Sequence, residues 1–407
     1  MKKILVIAQF TQLPGEAGNN RSRFKYICEM LAESGYDVTQ VTSRFRDLDK
    51  KQRDSSFETL SLSYKIKLLD DPGYQNTVSF KRIISQRIFA KNLKKWLKET
   101  NESFDLIYCA GPPAEGMLVA GEFARKLDIP FVIDIQDLWP EAMKTVLSLP
   151  YISDAIFFPL KLQIDRAYKM ADGIIAVSNT YAMRVKDVNK RYKEATAVYI
   201  GTDLEHFDIE ALKKSGNVQK DENEFWVTYA GSLNLSYDLE TLVEAIGIVN
   251  SKGINNVRLI ILGSGEQKER LIELVSTYKI KADLTGWVDY GTMGAYLKKS
   301  DLLVNAIKKN AAQSITNKIG DYVSAKVPII NGSTNKEFIE IVQDWNIGYN
   351  YEAEDKFSLA LAIEKVYKDS TDKKEKMAQN SRNLAEELFN RKKTYRNILE
   401  LIDRLMS

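Results

Sequence analysis

DLLVNAIKKNAAQSITNKIGDYVSAKVPIIN, residues 301–331, is the stretch that decides how this chain is read. Leu302 to Ile307 is an apolar run of strand length, and the polar loop Lys308 to Asn317 ends on Thr316 and Asn317, both good helix N-caps. Lys318 to Ala325 reads as a short helix, and Pro328 to Asn331 as the start of the next strand. A strand–loop–helix–strand unit puts its loop at the carboxyl edge of a parallel sheet, where α/β proteins bind ligands. The free N–H groups and positive dipole end of the helix attract an anion such as phosphate, and Lys318 adds a full charge. Asp321 lies one turn on, on the same face, and offers an acceptor-only carboxylate. A lysine for phosphate and a carboxylate for sugar or ribose hydroxyls are what gripping a nucleotide sugar requires. On pattern alone, an amphipathic helix with Lys318 and Asp321 merely solvated accounts for the same residues equally well.

The 407 residues exceed one ordinary core and suit two domains of about 150–200 residues each. With 44% apolar and 28% charged residues the chain is globular rather than disordered. No apolar run approaches the roughly 20 residues that span a bilayer. The opening MKKILVIAQF, without a small-residue cleavage site, reads as a first strand and not as a signal peptide. Two cysteines, Cys28 and Cys109, build no disulfide framework, which suits a reducing cytoplasm. His206 is the only histidine, which excludes zinc sites built on several histidines and mechanisms that need two imidazoles. Residues 1–200 carry 30 Lys and Arg against 24 Asp and Glu, and the remainder 28 against 31. The more basic first half suits an acidic partner such as phosphate-bearing lipid. Nucleic acid is not expected, because aromatic and basic residues are not interleaved as single strands require.

From the start, Lys3 to Phe10 reads as a strand, Thr11 to Asn20 as a loop, and Arg21 to Ser34 as a helix with Phe24, Ile27, Met30 and Leu31 at helical spacing. This opening is Rossmann-like, yet GEAGNN (15–20) lacks the G-x-G-x-x-G spacing, so no nicotinamide cofactor is expected. Asp47-Leu48-Asp49 has metal-binding chemistry, but Arg46, Lys50 and Lys51 flank it and favour a solvated loop. Phe80 to Lys98 is a helix in which Arg82, Arg87, Lys91, Lys94, Lys95 and Lys98 interleave with Ile84, Ile88, Leu93, Trp96 and Leu97. Such a helix either lies on an anionic membrane or tucks its apolar stripe into the core. At the end of the strand Pro130 to Ile135 stand Asp134, Gln136, Asp137, Trp139 and Glu141, carboxylates and an aromatic face that suit a pyranose ring. The charged stretch Lys213 to Glu224 reads as an interdomain linker. Beyond it, the strand Phe225 to Tyr229 leads to Gly231-Ser232, and the strand Arg258 to Leu262 to Gly263-Ser264-Gly265, a weak signal alone. Ala282 to Thr285 leads to Gly286-Trp287-Val288.

TNKIGDYVSAKVPII (316–330) resembles the nucleotide-sugar segment of the family 4 glycosyltransferases of the GT-B fold. DIQDLWPEA (134–142) is similar to the D-x-x-D-L-W-P-E segment of their bacterial, polysaccharide-building members. VYIGTDLEHF (198–207), the glycine-bearing loop 15–20 and the turn 286–288 extend the resemblance along nearly the whole chain. It implies an α/β fold of GT-B architecture, with two Rossmann-like domains facing across a central cleft. Residues 1–210 would bind the acceptor, 211–385 the nucleotide sugar, and 386–407 would form a helix crossing back. The implied reaction is metal-independent, retaining hexosyl transfer without a cofactor, from a UDP-sugar ahead of a GDP-sugar. The implied acceptor is a glycan on a lipid diphosphate carrier, in capsule or O-antigen synthesis. The implied location is cytoplasmic, peripheral on the inner face of the cell membrane. For the sugar donor the resemblance points to Gly18, Asn19, Gly231, Ser232, Gly286, Trp287, Val288, Ser314, Ile315, Thr316, Asn317, Lys318 and Asp321. For the acceptor it points to Asp134, Gln136, Asp137, Trp139 and Glu141, and for catalysis to Lys318, Asp137 and Gln313. Three departures stand out. Ser232 and Tyr237 occupy places where many relatives carry an arginine and a lysine. Gln313 and Asp321 stand where the family has two acidic residues eight apart, and no histidine stands near Asp137. A nucleotide-sugar 2-epimerase of the same fold and a non-catalytic nucleotide-sugar-binding partner therefore stay open.

Overall fold

In the computed structural model, which describes residues 1–16, 22–76, 79–144, 152–191, 195–311 and 315–407, the chain divides into two compact units. One comprises Met1–Val198 with Tyr395–Ser407, the other Tyr199–Thr394. The first holds strands β1 (Lys3–Ile7), β2 (Asp37–Ser43), β3 (Lys65–Leu69), β4 (Leu106–Gly111), β5 (Phe131–Ile135), β6 (Gly173–Ala176) and β7 (Thr196–Ala197). They form one sheet in the order β3-β2-β1-β4-β5-β6-β7, every neighbouring pair parallel. The second holds β8 (Phe225–Ala230), β9 (Val257–Leu262), β10 (Lys281–Gly286), β11 (Leu302–Asn305), β12 (Ile329–Asn331) and β13 (Gly348–Asn350), ordered β10-β9-β8-β11-β12-β13 and again parallel. Counted within each unit, both sheets follow the Rossmann strand order 3-2-1-4-5-6. The interior strands read as near-continuous apolar runs, LIYCAG and VRLIIL among them, because helices cover both faces.

The helices that bear on the site are α1 (Arg23–Glu33), α2 (Phe80–Glu99), α3 (Ala114–Leu127), α4 (Ile152–Met170), α5 (Leu204–Lys214), α6 (Leu239–Ser251), α7 (Tyr290–Lys299), α8 (Lys318–Ser324) and α9 (Arg396–Met406). In the first unit, Phe24, Ile27 and Leu31 of α1 and Ile398, Leu401 and Ile402 of α9 close over Ile4, Val6, Tyr108 and Val132. In the second, Leu239, Leu242 and Ile246 of α6 cover Val227, Tyr229 and Ile261 on one face, while Ile319 and Tyr322 of α8 meet Trp226 and Ile260 on the other.

The stretch 213–224 is not a free linker. Lys299 Nζ donates to the Ser215 and Val218 carbonyls, and α5 packs on α7, where a Cβ on Gly294 would lie 2.9 Å from that of Ala211. The turn before it also belongs to the second unit. Thr202 N–H donates to Phe389 O (2.7 Å) and Arg391 N–H to Thr202 O (3.1 Å). The division therefore falls at 198/199, ahead of the expected 210/211, and residues 386–394 stay with the second unit while 395–407 return to the first. In α2, Phe89, Leu93 and Leu97 are buried, so that stripe serves the core, while Lys91, Lys94, Lys95 and Lys98 remain exposed. Among the described residues no helix is long and apolar enough to cross a membrane.

Candidate active site

The turns after β8, β9 and β10 are tied together at the carboxyl edge of the second sheet. Gly231 N–H donates to Leu262 O (2.9 Å), Leu233 N–H to Ser264 O (2.9 Å) and Gly263 N–H to Gly286 O (2.8 Å). Gly263 has φ +145°, and a Cβ there would lie 1.8 Å from Gly231 O, so the two turns approach only because this residue lacks a side chain. Helix α8 is pinned to the same edge by Tyr322, whose hydroxyl accepts the Ala230 N–H at 2.7 Å. The expected side-chain caps are not made. Asn317 has helical backbone angles and no capping bond, because Ile319 N–H takes the Thr316 carbonyl instead. Thr316 Oγ1 is buried with no hydrogen-bond partner among the described residues.

This packing sets Lys318 Nζ above Gly231, 3.1 Å from Tyr229 Oη, 4.1 Å from the Tyr229 ring centroid and 3.7 Å from that of Tyr237. Burial pushes the amine well below the ordinary lysine range, and no charged partner among the described residues contributes. Ser232 O accepts the Tyr229 hydroxyl (2.8 Å), and Ser232 Oγ accepts from the Asn234 amide (3.1 Å). Trp287 is 75% exposed, whereas Val288 packs on the core and Ile315 is buried within it. Asp321 does not stand open beside Lys318. It is 4% exposed, and its Oδ1 accepts from Thr202 Oγ1 (2.9 Å) and Tyr290 Oη (3.1 Å). A glutamate would reach one methylene further, and the shorter side chain is satisfied inside the protein. Gly18, Asn19, Gln313 and Ser314 lie outside the described residues.

In the first unit the loop after β5 carries the residues expected to meet an acceptor. Asp134 is not among its open groups. Fully buried, its Oδ2 accepts from Arg23 Nε (2.7 Å) and Tyr108 Oη (2.6 Å), so this carboxylate neutralises a core arginine. Gln136 is half-buried and donates its N–H to Gly111 O (2.9 Å). Asp137, also half-buried, accepts from Leu138 N–H (2.9 Å) and the Trp139 indole N–H (3.2 Å). Burial raises its pKa above the usual carboxylate range despite those bonds and the Arg82 charge. Trp139 is only 6% exposed, and the Arg82 guanidinium sits 5.4 Å from its ring centroid, so this ring is already taken by a cation and offers no free face to a sugar. Glu141 pairs with Arg184 at 2.8 Å. Among the described residues no three His, Cys, Asp or Glu side chains are grouped to hold a metal ion, and Asp47 and Asp49 pair with Lys50 and Arg46.

The family model of glycosyltransferase family 4 matches residues 22–206, and that of the group 1 glycosyl transferases residues 210–384. A sucrose-phosphate synthase from Thermosynechococcus elongatus has the same fold over 100% of this chain and 99% of its own, with a TM-score of 0.74 at 17% identity. The chain belongs to the GT-B glycosyltransferases. HepE of Anabaena, solved with UDP-glucose, is similar over 99% of this glycosyltransferase and 100% of its own chain, with a TM-score of 0.66 at 17% identity. An uncharacterized glycosyltransferase of Methanocaldococcus jannaschii is 22% identical over 242 residues, 59% of this chain, and the match spans 60% of that relative.

Of the residues singled out from sequence, this glycosyltransferase brings Gly231, Ser232, Gly286 and Lys318 to one sheet edge, and Gln136, Asp137 and Glu141 to another. The sequence reading missed Tyr229, which looks like any core aromatic ending an apolar strand, and undervalued Gly263. It also missed Arg82, whose neighbours Phe10, Tyr74 and Trp139 are distant in sequence.

Proposed function

We propose that this protein moves a sugar from a nucleotide sugar, a UDP-sugar ahead of a GDP-sugar, to a hydroxyl of a glycan carried on a lipid diphosphate. The second unit takes the nucleotide sugar and the first the acceptor, and the product joins a surface polysaccharide. In this reading the anomeric configuration is retained, no metal takes part, and the departing phosphate accepts the acceptor's proton. The observation that carries it is Lys318, an amine with no charged partner among the described residues, held over a glycine turn at the carboxyl edge of a Rossmann sheet. Departure of the nucleoside diphosphate builds negative charge, which a fixed ammonium stabilises as it develops. The uridine preference is supported by HepE, a protein of the same fold solved with UDP-glucose. The bilayer is supported by the exposed lysines of α2, by Phe80 and Ile84 on its first turns, and by Ile156, Phe158 and Leu162 on α4, all more than half exposed.

Thermal shift against a panel of UDP- and GDP-sugars, followed by transfer assays on the best ligand, tests this reading. Saturation at 100 times the dissociation constant adds about 2.7 kcal/mol to stability. Lys318→Ala should lose about a hundredfold in turnover, the usual cost of removing one group that stabilises transition-state charge. A variant that turns over like wild type would sink the assignment.

A further inference from the structure

We propose that Tyr229 and Tyr237 are positioning residues for the sugar donor's diphosphate, holding the Lys318 ammonium in place without neutralising it. The inference rests on the reading of Lys318 given above. The two rings meet edge to face, 5.8 Å between centroids at 64°, and form adjoining walls with Nζ 4.1 Å from the Tyr229 centroid and 3.7 Å from that of Tyr237. At such distances a ring quadrupole attracts a cation, yet the ring has no net charge, so the lysine keeps its whole charge for an incoming anion. A carboxylate in the same place would form an ion pair that a diphosphate must first break.

The hydroxyl of Tyr229 supplies direction. Its proton is committed to Ser232 O (2.8 Å), so it presents a lone pair to Nζ (3.1 Å) and draws one N–H to itself. Gly231 supplies the floor, for a Cβ there would stand 3.2 Å from Nζ. Neighbouring titratable groups are engaged elsewhere: Tyr322 with Ala230 N–H, Asp321 with Thr202 and Tyr290, Asp238 with Glu354 N–H and Glu266 with Leu235 N–H. Burial lowers the proton affinity of Lys318, and the ring faces oppose that loss, which is why removing a ring should be felt through the lysine.

A double-mutant cycle reads this directly, with UDP and GDP as probes, the tighter binder followed calorimetrically to millimolar concentration. Tyr237→Leu should weaken binding about tenfold in the wild-type background, equivalent to about 1.4 kcal/mol. In a Lys318→Met background the same change should cost less than about twofold. Tyr237→Phe, which keeps the ring, should stay within about twofold of wild type, and melting curves confirm that each variant is folded. Equal losses in both backgrounds, or a silent Tyr237→Leu beside a crippled Lys318→Met, overturn the positioning role and leave the reading of Lys318 intact. If neither nucleotide binds wild type, or Lys318→Met binds normally, that reading itself fails and this inference with it.

Discussion

Lys318 is buried at some expense to the fold. An amine whose pKa is lower folded than unfolded binds fewer protons in the native state, so native stability rises with pH. Its burial is unfavourable below the ordinary lysine value, near 10.4, and that cost fades as pH climbs from the depressed native pKa towards that value. Lys318→Met should therefore raise the melting temperature at pH 7 while nucleotide binding collapses. Each kcal/mol recovered is worth about 2–4 °C in a unit of this size, and the gain should shrink towards pH 10. The opposite case is Asp137, whose raised pKa means that the carboxylate is lost already above the usual aspartate range of about 3.9 as pH falls. Transfer rates should show an acid limb with its midpoint above that value, and Asp137→Asn should erase the limb along with most of the activity. Lys318 stood out in the sequence as a full charge at the start of an apolar helix, a pattern that a solvated lysine fits equally well; its burial against Tyr229 and Tyr237 depends on residues of a distant strand and turn. Asp134 and Asp321 were legible only as carboxylates. That they are consumed by Arg23 and by Thr202 with Tyr290 depends on partners distant in sequence, Arg23 and Thr202 by more than a hundred residues.

At the level of elements, the carboxyl edge of the second sheet depends on β8 and β9 being allowed to touch. Gly263→Ala puts a methyl group against Gly231 O, a backbone atom that cannot rotate away, on a backbone angle that L-residues avoid. The expected loss is about 3 kcal/mol or more, roughly 6–12 °C, with nucleotide binding abolished. A thermal melt unchanged from wild type would show that these turns do not sit as described. The interior strands were readable because burial on both faces demands unbroken apolar runs. The edge strand β3 was not, for its burial alternates along KIKLL, and β13 has three residues only. The charged stretch mistaken for a linker misled for a related reason. Its Val218 is buried in the core and its backbone is held by Lys299, while most of its charged side chains face water and dominate the composition.

Across the whole molecule the excess of cations lies in the first 200 residues. Each Lys or Arg near an anionic leaflet is worth about 1 kcal/mol, and screening weakens this as the Debye length falls from about 10 Å at 0.1 M to about 3 Å at 1 M. The protein should co-sediment with anionic vesicles at low salt and leave them at high salt. Changing Lys91, Lys94, Lys95 and Lys98 to glutamine should abolish that binding and spare nucleotide affinity. If only substitution of Phe80 and Ile84 has an effect, the contact is apolar and the lysines are bystanders.

The first unit is discontinuous, and that has a consequence for how the protein is made. Its sheet is complete by Ala197, but the helix that closes one face of it, with Ile398, Leu401 and Ile402, belongs to the last residues. Arg23, which neutralises Asp134, also bonds Tyr395 at 3.1 Å. On the ribosome, residues 199–394 must be synthesised before any of this cover emerges. At about 5–20 residues per second the wait is roughly 10–40 s. Throughout that interval the nascent chain displays an unsealed apolar face and a buried-type ion pair open to water. Shielding of that half-finished face from other chains should therefore bear on how much folded protein a cell makes.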